Sequence, residues 1–155
     1  MPHMPRPLIL VSIAGLAALG ACAGDDGGST VINCEVEDRD EAFLAGMQKV
    51  GAGGTTFTLT SSTPAPPGRD DNTWVVDIAT GAGPFDGAVE VTPFMPDHRH
   101  GTPIVAIVAP VAGTPGRYSA APINLWMPGL WEITVAATAT GGSADAVVFR
   151  FCIPG

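Results

Sequence analysis

The sequence predicts an all-β domain, an immunoglobulin-like antiparallel β-sandwich of seven to eight strands preceded by one short helix. Short runs of alternating apolar and polar residues recur from residue 55 onward, and each gives a strand one face for a shared core. Turn signals rich in glycine and proline separate these runs at fairly even intervals, as 20 glycines and 15 prolines in 155 residues allow. This combination is typical of a sandwich.

The first 30 residues differ in composition from the rest of the chain. Arg6 followed by the apolar run 8–19 is typical of a secretory signal peptide, and that run is short for a membrane span. The sequence Leu-Gly-Ala-Cys at 19–22 resembles a bacterial lipobox. Residues 1–21 are therefore predicted to be a lipoprotein signal peptide and Cys22 to be lipidated. Residues 22–33 form a flexible tether, and residues 34–155 form the domain.

Lipidation predicts a cell-envelope protein, most simply on the periplasmic face of the outer membrane, because Ala23 after the cysteine is not a retention signal. The mature chain keeps six basic residues against all fifteen acidic residues, a formal net charge of about −9. This charge argues against nucleic acid as a partner and against binding anionic lipid through a basic surface. Membrane contact is expected through the lipid anchor, and cations are attracted.

Two cysteines remain once Cys22 carries lipid. Cys34 lies near the start of the mature chain and Cys152 near its end. Because the compartment is oxidising, a disulfide between them is the default expectation. The alternative is that one or both cysteines are thiolate ligands of copper.

The short helix is predicted after Cys34. Asp38 or Asp40 can cap it, and Glu41 lies in its first turn, where the helix dipole favours an acid. Gly51 can end it. Apolar residues recur at helical spacing through this segment: Phe43, Leu44, Met47 and Val50.

From residue 55 onward, apolar residues recur at every second position, which is the spacing of a β-strand. Strands are predicted at residues 55–61, 73–78, 88–92, 104–109, 116–120, 123–126, 130–138 and 145–152. In the strand 130–138, alternation places Trp131, Ile133 and Val135 inward. Residues 62–71 are rich in proline and long enough to cross from one sheet to the other.

The candidate functional site is the stretch MPDHRHG at 95–101. If the chain is extended from Asp97 to His100, residues two apart point the same way, so His98 and His100 share a face. Arg99 then points away from them, where Asp97 can neutralise it.

Met95 lies three residues before the first histidine, and Met127 begins a second Met-Pro turn. Turns from different hairpins collect at one end of a sandwich, so both thioethers are candidates to join the imidazoles. Imidazole and thioether together suit copper better than zinc, calcium or magnesium. The alternative is that the histidines are exposed loop residues and the methionines fill gaps in the core.

Residues 43–153 resemble the YtkA-like family of small extracytoplasmic domains. The motifs that carry the resemblance are a first strand that begins with tryptophan, Met-Pro-x-His-x-His-Gly and Met-Pro-Gly-x-Trp. The resemblance implies an immunoglobulin-like fold and copper binding through Met95, His98, His100 and Met127. It also implies envelope partners that handle copper or assemble respiratory oxidases. The chain departs from the family at Arg99, where glycine is usual.

No catalytic signature accompanies these features. The sequence contains no nucleophile elbow, zinc-protease helix or phosphate-binding glycine loop, so the protein is not expected to be an enzyme. The leading hypothesis is a lipid-anchored binding module that binds or delivers a copper ion. The alternative is a structural or protein-interaction module of the envelope without metal. Trp126 and Trp131 flank the second Met-Pro turn, and one of them facing outward would be a candidate contact residue, although alternation favours a core position for Trp131.

Overall fold

The computed structural model describes residues 33–155. The predicted signal peptide, the lipidation site Cys22 and all of the predicted tether except Asn33 lie outside these residues. Within the described part of the chain, no helix is long and apolar enough to cross a membrane.

Within residues 33–155, ten strands form two antiparallel sheets. They are β1 Met47–Val50, β2 Thr56–Thr63, β3 Asp70–Thr80, β4 Gly83–Pro84, β5 Gly87–Met95, β6 His100–Gly101, β7 Ile107–Pro110, β8 Arg117–Leu125, β9 Gly129–Ala139 and β10 Ala144–Ile153. The first sheet has the order β1-β2-β3-β8-β7, with β4 paired to β3, and the second has the order β10-β9-β5-β6. The predicted antiparallel β-sandwich is therefore confirmed.

The strand count exceeds the predicted seven to eight because three short strands carry no sequence signal. β1 has four residues, while β4 and β6 have two each, too few to show a period. In the opposite sense, the two predicted strands at 116–120 and 123–126 are one strand, β8.

The core lies between the two sheets and follows the predicted alternation. Trp131, Ile133 and Val135 of β9 are fully buried, as predicted. Trp74 of β3 meets Phe149 of β10 edge to face across the core, with 5.9 Å between ring centroids. Such aromatic pairs add to the free energy gained by burying the rings.

The predicted helix after Cys34 is wrong. Residues 41–44 have no regular structure, and Met47–Val50 pair with β2 as strand β1. Phe43 and Met47 do pack against the core, as their apolar character requires. Glu41 ties the segment to β10, because its N–H donates to the Arg150 carbonyl and its carboxylate accepts from the Arg150 N–H, both at 2.9 Å. Tertiary hydrogen bonds here override a weak local helical pattern.

The predicted strand at 104–109 begins later, as β7, and lies at the edge of the first sheet. Its apolar character on both faces would suit a buried strand. However, Val105 is 82% exposed and Ile107 is 72% exposed. This edge therefore presents apolar side chains to solvent.

The predicted disulfide between Cys34 and Cys152 is present, with 5.5 Å between the two Cα atoms. It joins the segment before β1 to the last strand, across a sequence separation of 118 residues. The alternative in which these cysteines are thiolate ligands of copper is therefore wrong, because both sulfur atoms are used in the bond.

Candidate metal site

Both histidines lie on the hairpin that joins β5 to β6. Residues 96–99 form its turn, which is closed by the N–H of Arg99 donating to the Met95 carbonyl at 2.8 Å. Arg99 has a φ of 55°, in the left-handed region, which reverses the chain before His100. The predicted extended geometry of residues 97–100 is therefore wrong. A turn, rather than strand alternation, positions the imidazoles. We call residues 95–100 the histidine turn.

The turn nevertheless brings the two imidazole rings together. The ring centroids of His98 and His100 are 5.6 Å apart, and the rings are inclined by 72°. Nδ1 of His100 lies 2.9 Å from the Gly101 carbonyl oxygen. Because a carbonyl can only accept, the contact is a hydrogen bond in the tautomer that carries its proton on Nδ1, and that tautomer leaves the lone pair of Nε2 for a metal. A hydrogen bond of this kind orients histidine ligands in metal sites.

The ring separation fits two ligands of one ion. A metal–nitrogen bond of about 2.0–2.1 Å and tetrahedral to linear coordination place two imidazole centroids roughly 5–6.5 Å apart. The observed 5.6 Å falls within this range. The described residues contain no group of three or more His, Cys, Asp or Glu side chains suited to a metal. A third protein ligand would therefore have to come from another residue type, such as methionine.

Met95 is the neighbour of His100 in the sheet. The two are paired across β5 and β6, so their side chains lie on the same face. Gly101 allows this pairing, because a Cβ at that position would lie 2.7 Å from the Pro93 carbonyl oxygen. Met95 is only 1% exposed and belongs to the core. Its thioether is therefore a buried neighbour of the site rather than a free surface ligand.

Met127 follows the end of β8 and packs, partly buried, against the core. Its carbonyl accepts a hydrogen bond from Nε1 of Trp131 at 2.9 Å, which fixes the Met-Pro turn. The preceding residue, Trp126, contacts His100, so the chain passes the histidine turn at this point. The role of Met127 as a ligand stays a prediction.

Trp126 is a component of the site that sequence reasoning did not place there. Its ring stacks on that of His100 with 5.8 Å between centroids and 24° between planes. It is 42% exposed, whereas Trp74 and Trp131 are fully buried. Its carbonyl accepts a hydrogen bond from Nε of Arg69 at 3.1 Å. An aromatic ring thus covers one face of the imidazole.

Arg39 fixes the outer side of the histidine turn. Its guanidinium binds both carboxylate oxygens of Asp97 at 2.8 Å and also pairs with Glu37. Hydrogen bonds from Arg39 lower the pKa of Asp97 and of Glu37, and the two carboxylates raise the pKa of Arg39. Asp97 therefore pairs with Arg39, and the prediction that it neutralises Arg99 is wrong.

The left-handed backbone at Arg99 leads to a stability prediction. A side chain in this region costs about 1–2 kcal/mol, which glycine avoids, although glycine loses more entropy on folding. We expect Arg99→Gly to be about 0.5–1 kcal/mol more stable than Arg99→Ala, since both variants lack the guanidinium. Urea unfolding of the two variants measures this difference. Equal midpoints, or a less stable glycine variant, would contradict it.

A comparison with protein families gives a match that covers the candidate site. A model of the YtkA-like family matches residues 49–136, more than half of the chain, including the whole histidine turn and Met127. Comparisons with curated proteins and with solved structures gave no match.

Proposed function

The chain belongs to the YtkA-like family, and we propose that it is a lipid-anchored binding module of the cell envelope that binds one copper ion at His98 and His100. The observation that carries the proposal is the pair of imidazoles with centroids 5.6 Å apart, one of them oriented by the Gly101 carbonyl. Met95 and Met127 are proposed as additional thioether ligands.

The chemistry of the donor set favours copper over harder ions. Two imidazoles supply only part of a coordination sphere, and a further candidate donor is the thioether of Met95, the residue opposite His100 in the sheet. Thioethers are weak ligands for zinc, calcium and magnesium but suit Cu(I). The ring of Trp126 lies against His100 and shields one side of the site from water.

The predicted location suits this function. The signal peptide and Cys22 would place the domain in the envelope, and a tethered domain with an exposed histidine could pass its ion to a neighbouring protein. We therefore propose copper delivery to a copper-handling or oxidase-assembly partner as the use of the site.

A copper titration tests the proposal. The purified full chain, in a non-ionic detergent, is titrated with Cu(I) and Cu(II), with Zn(II) as the control metal. We expect one copper equivalent per chain. Because loss of a single supporting group often costs 10–100-fold in metal affinity, loss of both imidazoles in His98→Ala/His100→Ala should weaken copper binding by more than about 100-fold.

The matched control is Glu90→Ala/Thr92→Ala, which removes two exposed side chains with the same spacing from β5. It should bind copper like the native chain. Retention of copper by the histidine variant would place the site elsewhere.

The second candidate function is a protein-interaction module without metal. The observation that favours it is the exposure of Trp126, at 42%, beside a turn whose Asp97 is bound by Arg39. If the native chain does not bind copper, the copper proposal is wrong and the interaction module remains as the candidate function.

A further inference from the structure

Two arginines differ from the other basic residues of the described chain. Neither Arg69 nor Arg99 forms an ion pair within residues 33–155, and both are exposed. The remaining cationic side chains there each pair with a carboxylate: Arg39, Lys49, Arg117 and Arg150. In a chain with fifteen acidic residues and seven basic ones, guanidinium groups left without a carboxylate are unexpected.

Arg99 belongs to the histidine turn, and Arg69 is linked to it through Trp126. Arg99 stands between His98 and His100 in the chain, and Arg69 donates to the carbonyl of Trp126 at 3.1 Å. Trp126 in turn stacks on His100. Asp71 forms no ion pair with Arg69; its carboxylate accepts from the Asn124 amide at 2.6 Å.

The same region exposes apolar side chains. Trp126 is 42% exposed, and the connection that follows β6 presents Ile104 at 41% and Val105 at 82%. Thr102, at the start of this connection, bonds to Asn124 near the end of β8, which keeps the connection close to Trp126. Tryptophan and arginine are the residues most enriched where proteins bind one another, so their juxtaposition on a surface indicates an interface.

We propose that this surface, formed by Arg69, Arg99 and Trp126, docks an acidic polypeptide segment of another envelope protein. Carboxylates of the segment pair with the two guanidinium groups, and an apolar side chain of the segment packs on Trp126. We call it the arginine–tryptophan surface. This proposal goes beyond metal binding, because none of the contacts on the arginine–tryptophan surface requires a metal ion.

Charge favours a polypeptide over a membrane as the occupant. The chain is strongly acidic, with a formal net charge of −8, so an anionic bilayer repels most of its surface. A short acidic segment, in contrast, needs to contact only the two arginines that form no ion pair within residues 33–155. Guanidinium groups also bind carboxylates with two parallel hydrogen bonds, which gives a peptide a defined orientation.

The test uses a fluorescein-labelled peptide in which glutamates and aspartates flank one leucine. Its binding to the purified full chain in non-ionic detergent is followed by fluorescence anisotropy, with EDTA present to keep metal away. We expect binding that weakens severalfold as NaCl rises from about 50 to about 300 mM, because screening reduces exposed charge pairing. Arg69→Gln/Arg99→Gln and Trp126→Ala should each weaken binding by about tenfold.

The matched control is Arg117→Gln/Arg150→Gln, which removes the same charge from arginines that are already paired elsewhere. We expect it to change affinity by less than about twofold. Unlabelled peptide should also shift the tryptophan emission of the native chain, because only Trp126 of the three tryptophans is exposed.

Equal weakening by the control variant, or equal binding of a peptide with lysines in place of the acids, would overturn the proposal. Absence of peptide binding would also overturn it, and binding to phosphatidylglycerol vesicles instead would assign the surface to the membrane. Since the measurement is made without metal, none of these outcomes decides whether the chain binds copper.

Discussion

Removing the disulfide between Cys34 and Cys152 is expected to lower the free energy of unfolding by about 4–5 kcal/mol. The bond closes a loop with a sequence separation of 118 residues, which includes nearly all of the sandwich. Closing so long a loop restricts the unfolded chain strongly, and the loop-entropy relation gives this magnitude. For a domain of this size, the loss corresponds to a fall in melting temperature on the order of 15 °C.

Urea unfolding of Cys34→Ser/Cys152→Ser against the native chain measures the effect. Reductant should destabilise the native chain to a similar degree and leave the double variant unchanged, which is the control for other actions of the reductant. A difference below about 1 kcal/mol would show that the bond adds little to stability.

Replacing Met95 separates packing from ligation at the candidate site. Because Met95 is 1% exposed, Met95→Ala is expected to cost about 2–5 kcal/mol through lost contacts and a cavity. Met95→Leu keeps the volume and should cost less than about 1.5 kcal/mol. If the thioether is a ligand, the leucine variant should bind Cu(I) at least about tenfold more weakly while remaining folded.

Two measurements on each variant are needed, urea unfolding for stability and a Cu(I) competition titration for affinity. Met47→Leu is the matched control, because Met47 also packs against the core but lies on β1, in the other sheet. It should leave copper affinity unchanged. If Met95→Leu binds copper as tightly as the native chain, Met95 serves the core alone.

The long strands are predictable from the sequence because each must bury one face. Alternation placed Trp131, Ile133 and Val135 correctly, since a shift by one residue would expose all three. The helix predicted at residues 38–51 is wrong because no such burial pattern fixes it. Its few apolar residues fit a helix or an irregular segment equally well, and the hydrogen bonds between Glu41 and Arg150 decide between them.

The approach of the two histidines is predictable from the sequence, but the geometry that produces it is not. His98 and His100 do come together, yet the cause is the left-handed backbone at Arg99, which the alternation argument did not include. The ion pair between Arg39 and Asp97 spans 58 residues and has no local signal. The stacking of Trp126 on His100 likewise depends on how two sheets meet.

The position of the disulfide also determines how the domain bears mechanical load. Tension applied between Asn33 and Gly155 would pass from Cys34 to Cys152 through a covalent link, so the ladder of hydrogen bonds between the strands would carry almost none of it. A protein held at one end and pulled at the other would therefore keep its sheets, and the histidine turn on them, in register under forces that unzip an unbridged sandwich.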